Sequence, residues 1–348
     1  MRKFFLSLVV MLVASVFMGK VYAQSSTLAT LNHEGTISTF YGTTALKQAH
    51  DAAVNGDVIT LSSGNFLAVD ITKAITVRGA GMILDTTAGI EPTVIAGDFR
   101  VDIADAGSYR LTLEGIYSNH TITYLNAVNP LFLKCRLKNI TCGYRNYGGN
   151  AGVLKDASFI HCRIVEDLSL SQNSSASCVN SVIQNPHSNN SSSNFEFTNC
   201  VLFFSDESIY SRISGVYSSL FRNCIIGTKS SSDCMNDNCT AYGCIGLGNT
   251  GIFKNATNAT NTIVSDYTTL FKSYTGASLG NLDSETFELT DEAKARYLGT
   301  DGTEVGIYGG NLPFDPTPSN PQITKCNVAS KSTADGKLSV DIEVRAAE

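Results

Sequence analysis

The sequence predicts an all-β chain wound as a parallel β-helix solenoid, and three observations carry that prediction. The first is an internal repeat. Phe132-Leu-Lys-Cys135-Arg-Leu137, Phe159-Ile-His-Cys162-Arg-Ile164, Phe197-Thr-Asn-Cys200-Val-Leu202 and Phe221-Arg-Asn-Cys224-Ile-Ile226 share Phe three residues before Cys and Leu or Ile two residues after it. The second is uneven spacing. With Cys replaced by Gly or Ser, the repeat extends to Gly79, Gly97, Gly115, Ser181 and Cys244, in steps of 18, 18, 20, 27, 19, 19, 24 and 20. Constant cores with variable inserts are how solenoid coils and their loops look in sequence. The third is the residue before the core position: Asn180, Asn199, Asn223 and Gly243. Phe and Cys are an odd number apart, so both point inward only if the chain bends between them. Asn and Gly tolerate the left-handed backbone such a bend needs.

Residue types decide which solenoid this is. The units are short, rich in Val, Ile, Phe, Leu and Thr, and separated by Asn, Gly and Ser, which makes them strands and turns, not helix pairs. The fixed leucines of a leucine-rich repeat are missing. Composition supplies a core: of 348 residues, 43% are hydrophobic and 16% charged. That excludes a disordered chain. A net charge of −6 excludes a general nucleic-acid binder, which needs a basic face. No stretch reaches the ~20 apolar residues of a membrane span.

Taken in order, Arg2 and Lys3, the apolar run Phe4–Met18 and Val21-Tyr22-Ala23 read as an export signal over residues 1–23. Its removal takes three basic residues, leaving 22 against 31 acidic ones, or −9. The expected location is therefore extracellular, cell-surface or periplasmic. Residues 24–310 form the expected β-helix domain. Pro313, Pro316, Pro318 and Pro321 mark 311–321 as an extended linker. In 322–348, Gln322–Val328 and Lys337–Val344 alternate like two strands around an Asp335-Gly336 turn, too short to bury a core alone.

Several segments carry a family resemblance. Ala45-Leu-Lys-Gln-Ala49, Asn55-Gly-Asp-Val-Ile-Thr-Leu61, Ser63-Gly-Asn-Phe66, Ile75-Thr-Val-Arg-Gly79 and Gly299-Thr-Asp-Gly-Thr-Glu-Val-Gly-Ile-Tyr-Gly-Gly310 resemble the pectin-lyase-like, right-handed parallel β-helix proteins. The resemblance covers roughly residues 40–310. It implies a short helix closing the end of the core, here with Thr44 as cap and Leu46, Ala49 and Ala53 buried, and a closing coil at 299–310. Fold does not fix function.

Ten cysteines in an exported chain suggest disulfides, but their place in the repeat suggests small buried hydrophobes stacked as free thiols. Cys234, Cys239 and Cys244 leave one disulfide open; without a nearby His or close Cys pairs they do not form a zinc site. Gly276-Ala-Ser278-Leu-Gly280 and Gly246-Leu-Gly248-Asn-Thr-Gly251 match a nucleophile elbow and a dinucleotide fingerprint. Both lack the following helix and read as loops, as the Asn255 and Asn258 triplets read as turns.

Two adjacent coils hold the candidate chemistry. Stacking places Lys134 above His161 and Arg136 above Arg163, with Glu166 and Asp167 following. A lyase acting on a uronic-acid polymer needs a base for the C5 proton and a cation for the enolate-like carboxylate. The competing reading is a solvated outward patch, its arginines balanced by Glu166 and Asp167. Lyases of the family also hold calcium through clustered carboxylates. No such cluster can be matched here, so no metal or cofactor is expected, and calcium enters only with the lyase alternative. Tyr109, Tyr117, Tyr124, Tyr144 and Tyr147 are candidate sugar-stacking residues. Outward Val182, Val201, Ile225 and Ile245 would form an adhesive stripe unless a loop covers them. The favoured function is an exported β-helix protein binding glycan or another envelope component without turnover. The alternatives are a polysaccharide lyase or hydrolase and a structural or adhesive surface protein.

Overall fold

The computed structural model describes residues 27–345 apart from 84–90, 144–150, 189–190, 205–215, 229–234, 236–237, 249–250, 259, 275–284, 330 and 334. The expected export signal, Cys234, Tyr144, Tyr147 and the Gly276–Gly280 motif lie outside the described residues. The chain is a parallel β-solenoid. Its first sheet runs from Val58–Leu61 through Thr76–Arg78, Thr112–Glu114, Leu131–Leu133, Ala157–Ile160, Ser175–Val179, Asn194–Thr198, Leu220–Arg222 and Cys239–Tyr242 to Ala256–Asn258. A second sheet follows it coil for coil, from Gly64–Leu67 to Thr262–Val264.

Register confirms the repeat. In the first sheet Phe132 pairs with Phe159, Phe159 with Cys178, Cys178 with Phe197, Phe197 with Phe221 and Phe221 with Ala241. In the second, Arg136 pairs with Arg163, Arg163 with Val182, Val182 with Val201, Val201 with Ile225 and Ile225 with Ile245. Between the sheets, Cys135, Cys162, Ser181, Cys200, Cys224 and Cys244 form one buried column. The residue before each is left-handed: Lys134, His161, Asn180, Asn199, Asn223 and Gly243 have φ between 44° and 59°. Their amides donate to the next coil, as Lys134 N does to Ile160 O (2.9 Å) and Asn199 N to Arg222 O (2.9 Å).

The column favours Cys and Ser for a physical reason. The bend leaves space for a small side chain and puts carbonyls around it. Cys162 Sγ donates toward Ile160 O (3.4 Å) and Phe132 O (3.3 Å); Cys200 Sγ reaches Thr198 O and Cys178 O, both at 3.3 Å. Ser181 Oγ does the same to Val179 O at 2.8 Å. A small residue with one donor fits; a larger apolar residue would overfill the corner. Burial pushes the thiols of Cys135, Cys178, Cys224 and Cys244 well above their usual range. Cys135, Cys142, Cys162, Cys178, Cys200, Cys224, Cys239 and Cys244 are free thiols.

Two assignments near the start need correction. Gly115 is itself a bend residue (φ 64°), and Ile116 is the core residue that follows it. Gly97 belongs to the other sheet: its strand Thr93–Ala96 pairs with Gly64–Leu67 and Ile116–Val128. Gly79 is therefore one full coil from Gly115, as the pairing of Val77 with Leu113 shows. Strands of both sheets end in the same Val-Ile-x-Gly-like pattern, so composition alone could not separate them.

The entry end is closed as expected. Helix Ala45–Ala52 buries Leu46 and Ala49, and Ala53 follows them into the core. Thr44 holds the cap position without a capping bond; its hydroxyl accepts from Gln48 Nε2 instead (3.2 Å). Strand Leu28–His33 covers the edge by pairing antiparallel with Val58–Leu61 and with Thr36–Tyr41. Gln322–Val328 and Val340–Arg345 form the expected antiparallel pair, with Leu338, Val340, Ile342 and Val344 exposed. No described helix is long and apolar enough to cross a membrane.

The outward stripe is roofed. Val182, Val201, Ile225 and Ile245 are buried together with Phe203 under Leu270, Phe271, Phe287, Leu289, Val305 and Ile307 of the returning chain. Phe203 meets Phe287 at 5.6 Å and Tyr274 at 5.4 Å between ring centres. The stripe is a second core, which removes the signal for an adhesive face.

Thiol titration should find Cys135, Cys162 and Cys200 unreactive in the native protein and free after denaturation; mass mapping that places them in disulfides would refute the ladder. Urea unfolding of Cys200→Ser, the solution already used at Ser181, should show a loss below about 1.5 kcal/mol. Cys200→Leu should lose about 1–3 kcal/mol by overfilling the corner.

Candidate functional site

The bend column forms a line of side chains along the solenoid, and the chain after Leu298 runs back along that line as a strap. Asn223 Oδ1 accepts from Thr300 N (2.8 Å) and Thr300 Oγ1 (3.1 Å). Asn180 Nδ2 donates to Ile307 O and Gly309 O, both at 2.8 Å. His161 Nε2 meets Leu312 O at 3.0 Å. Lys134 Nζ donates to Thr317 O (2.6 Å) and pairs with Asp315 Oδ2 (3.1 Å). Ser319 N then donates to Glu114 Oε1 (3.2 Å) and Asn320 Nδ2 to Gly79 O (3.2 Å). The proline-marked segment thus docks on the solenoid over much of its length.

This geometry brings the four basic candidates together and covers them. Lys134 is 9% exposed, and Arg136, His161 and Arg163 are 7% exposed. Arg136 lies over the Tyr117 ring at 4.6 Å and donates through Nη1 to Ser118 O (3.1 Å) and to Asn119 Oδ1. Arg163 lies over Phe314 at 5.2 Å, and Phe314 meets His161 edge-on at 6.0 Å. A carbonyl only accepts, so His161 carries its proton on Nε2 and leaves Nδ1 buried without a partner. Burial lowers the pKa of His161, and the nearby Lys134 charge adds to this against the Leu312 carbonyl. With the strap docked, Lys134, His161 and Arg163 hold a later segment of their own chain, and Arg136 is held by the preceding coil.

The other candidates separate. Glu166 is exposed, pairs with Lys138 (3.4 Å) and accepts from Asn139 Nδ2 (3.0 Å). Asp167 is half-buried, accepts from Asn185 Nδ2, and donates from its own amide to Asn139 Oδ1 (2.9 Å). Tyr124 is core: its hydroxyl donates to Ser169 O (2.8 Å) and accepts from Ser171 N (3.0 Å), and burial pushes its pKa up to about 12. Among the described residues no three His, Cys, Asp or Glu side chains are grouped to hold a metal.

The outward face of the first sheet contrasts with the strapped side. Thr112, Leu131, Ser158, Ser177, Glu196, Leu220 and Thr240 lie in register and remain half-buried or exposed. Beside them runs Leu133, Ile160, Val179, Thr198, Arg222 and Tyr242, also half-buried or exposed. Sequence reasoning passed over this face because its residues alternate with the more regular Phe and Cys positions. The outward neighbours of each Phe were the available signal. The chain matches no known protein family, and no curated protein or solved structure is significantly similar to it.

Two outcomes follow from the strap. A histidine held neutral by burial binds its proton more readily in the unfolded chain. The stability it allows is therefore present above the ordinary value of 6.5 and falls as pH drops below it. His50, lowered mainly by burial and further by Lys73, acts in the same direction. His161→Asn, which puts the column's own residue at a left-handed position, should remove part of this acid loss in thermal melts from pH 7 to 5. An unchanged slope would rule His161 out. Phe314→Ala should speed proteolytic cleavage within 311–320 while the solenoid core stays resistant.

Proposed function

We propose that this chain is an exported protein of the pectin-lyase-like β-helix kind that binds a glycan or another cell-envelope component without turning it over. The observation that carries this reading is the contrast between the solenoid's two long sides. Lys134, His161 and Arg163 are engaged by the strap and Arg136 by its neighbouring coil, while the first sheet presents a long face mostly of hydroxyls and aliphatic side chains, with Glu196 and Arg222 among them. Strand pairing repeats that face every ~4.8 Å, a spacing along which a polymer can lie and make many weak contacts. Thr, Ser and half-buried aliphatic groups suit an uncharged chain better than a polyanion, which the overall charge would repel. Access by such a polymer in the envelope follows from the export expected of residues 1–23.

The test has two arms. Affinity electrophoresis through gels of neutral and acidic polysaccharides should show retardation by a neutral polymer, weakened by Ser177→Glu and Thr198→Glu and kept in Lys134→Ala. Incubation with alginate, pectate and chondroitin, with and without calcium, should give no rise in ultraviolet absorbance. A rise that disappears in His161→Ala or Lys134→Ala would replace the binding reading with the lyase one.

A further inference from the structure

The entry end of the solenoid carries a cleft of about 300 Å³, built from segments far apart in sequence. The first is the hairpin joining Leu28–His33 to Thr36–Tyr41. Its two-residue turn uses Glu34 (φ 47°) and Gly35 (φ 86°), so His33 and Glu34 project at the sheet's end. The second is the turn after the closing helix, Val54–Asp57. Asp57 N donates to Val54 O (3.2 Å), and Val54 N donates back to Asp57 Oδ2 (2.8 Å). Asn55 fixes this turn to two further coils, accepting from Ala74 N (2.8 Å) and donating to Asp105 O (2.9 Å). The third is Tyr109, whose ring lies on the bare backbone of Gly56. A Cβ at Gly56 would stand 2.5 Å from Tyr109 Cε1, and its φ of 94° also demands glycine.

The polar groups are arranged in two layers. Asp57 is 5% exposed and both its oxygens are used, one by Val54 N and the other by His33 Nδ1 at 2.8 Å. That bond orients the imidazole and leaves Nε2 directed away from Asp57. In front of this pair, the Glu34 carboxylate and the Tyr109 hydroxyl make no hydrogen bond among the described residues. Tyr109 is 55% exposed despite being seated on Gly56. Val54 and Val58 supply apolar wall. A preset aromatic face, an oriented imidazole and an unengaged carboxylate around one concave volume are what a small-molecule site requires.

The signs of the charges select the ligand. No Lys or Arg lines the cleft, Asp57 is taken up by His33 and Val54, and the one unengaged charge is the Glu34 carboxylate. A uronate, sulfate or phosphate group would therefore gain no basic partner beyond the Asp57-bound imidazole and would meet repulsion from Glu34. A pyranose offers the complement: one face of C–H groups for the tyrosine ring and hydroxyls that can donate to Glu34 and His33. We propose that the cleft formed by His33, Glu34, Asp57 and Tyr109 binds an uncharged sugar unit. This inference rests on the glycan-binding reading and locates a second, end-on site for it, separate from the long sheet face.

The experiment uses the full chain and its Tyr109→Ala and Glu34→Gln variants, both at exposed positions, with circular dichroism as the check of fold. Neutral tetrasaccharides of glucose, mannose and N-acetylglucosamine and a tetragalacturonate are titrated by saturation-transfer NMR and calorimetry. Retardation by the matching polymers is measured in parallel. The expected result is binding of a neutral tetrasaccharide, weakened at least about tenfold by Tyr109→Ala, the scale of one well-placed aromatic contact. Glu34→Gln should weaken it less, tetragalacturonate should not bind, and Tyr109→Ala should keep most polymer retardation. Binding of tetragalacturonate as tightly as the neutral sugars, or neutral binding unaffected by Tyr109→Ala, overturns the assignment. Polymer retardation without any tetrasaccharide binding overturns the cleft and leaves the sheet-face reading standing. Loss of both overturns both.

Discussion

The structure depends on one backbone constraint: from Gly115 to Gly243, successive coils turn inward through a single left-handed residue at the same register. Non-glycine residues pay a steric penalty in that conformation, and only consistent support from the surrounding structure maintains it. Here the support is mutual. Each bend amide bonds to the coil beyond, each core thiol or hydroxyl takes up carbonyls left around the corner, and strand pairing on both sides holds the register. Because the bends align, their side chains form a continuous line on the outside. The strap exists because that line exists.

How much of this was legible follows from how local each signal is. The Phe–x–x–Cys spacing reports a coil's own shape, so the column from Cys135 to Cys244 and the turning role of Asn180, Asn199 and Asn223 could be read directly. Gly97 and Gly115 show where the local signal fails. A strand ending in glycine looks the same in either sheet, and only pairing with the neighbouring coil decides. The roof over Val182, Val201, Ile225 and Ile245 was less legible still. A parallel strand with both faces buried reads as a continuous apolar run, but the sequence does not say which distant segment covers it. His33, Asp57 and Tyr109 carry no shared pattern, and three separate turns bring them together.

The roof and the strap also alter what an exposed-looking position means. In a solenoid, alternation assigns half the strand residues to the outside, and outside ordinarily means water. Phe203 alternates outward from Leu202 and Phe204 and is nevertheless buried in the second core. One side of the molecule is therefore three layers deep, and the other presents single-layer sheet. This asymmetry leaves the first sheet's face a long accessible side of the solenoid, with the cleft by Tyr109 at its beginning.

The same geometry explains why a basic cluster interrupts a column of asparagines. At the Asn coils the strap is glycine-rich and close: a Cβ at Gly309 would stand 2.6 Å from Asn199 Nδ2, and one at Gly299 would stand 2.6 Å from Asn223 Cγ. Only a short amide fits under it. Past Gly310 the strap brings Leu312, Phe314 and Asp315, and the column side chains lengthen to His161 and Lys134, which reach Leu312 O, Thr317 O and Asp315. Arg163 stacks beneath Phe314 where the next outward positions carry Val182 and Val201 under apolar partners. Side-chain length follows the space beneath the strap, and charge follows what the strap offers at that point. Lys134, His161 and Arg163 thus each match the part of the strap they hold.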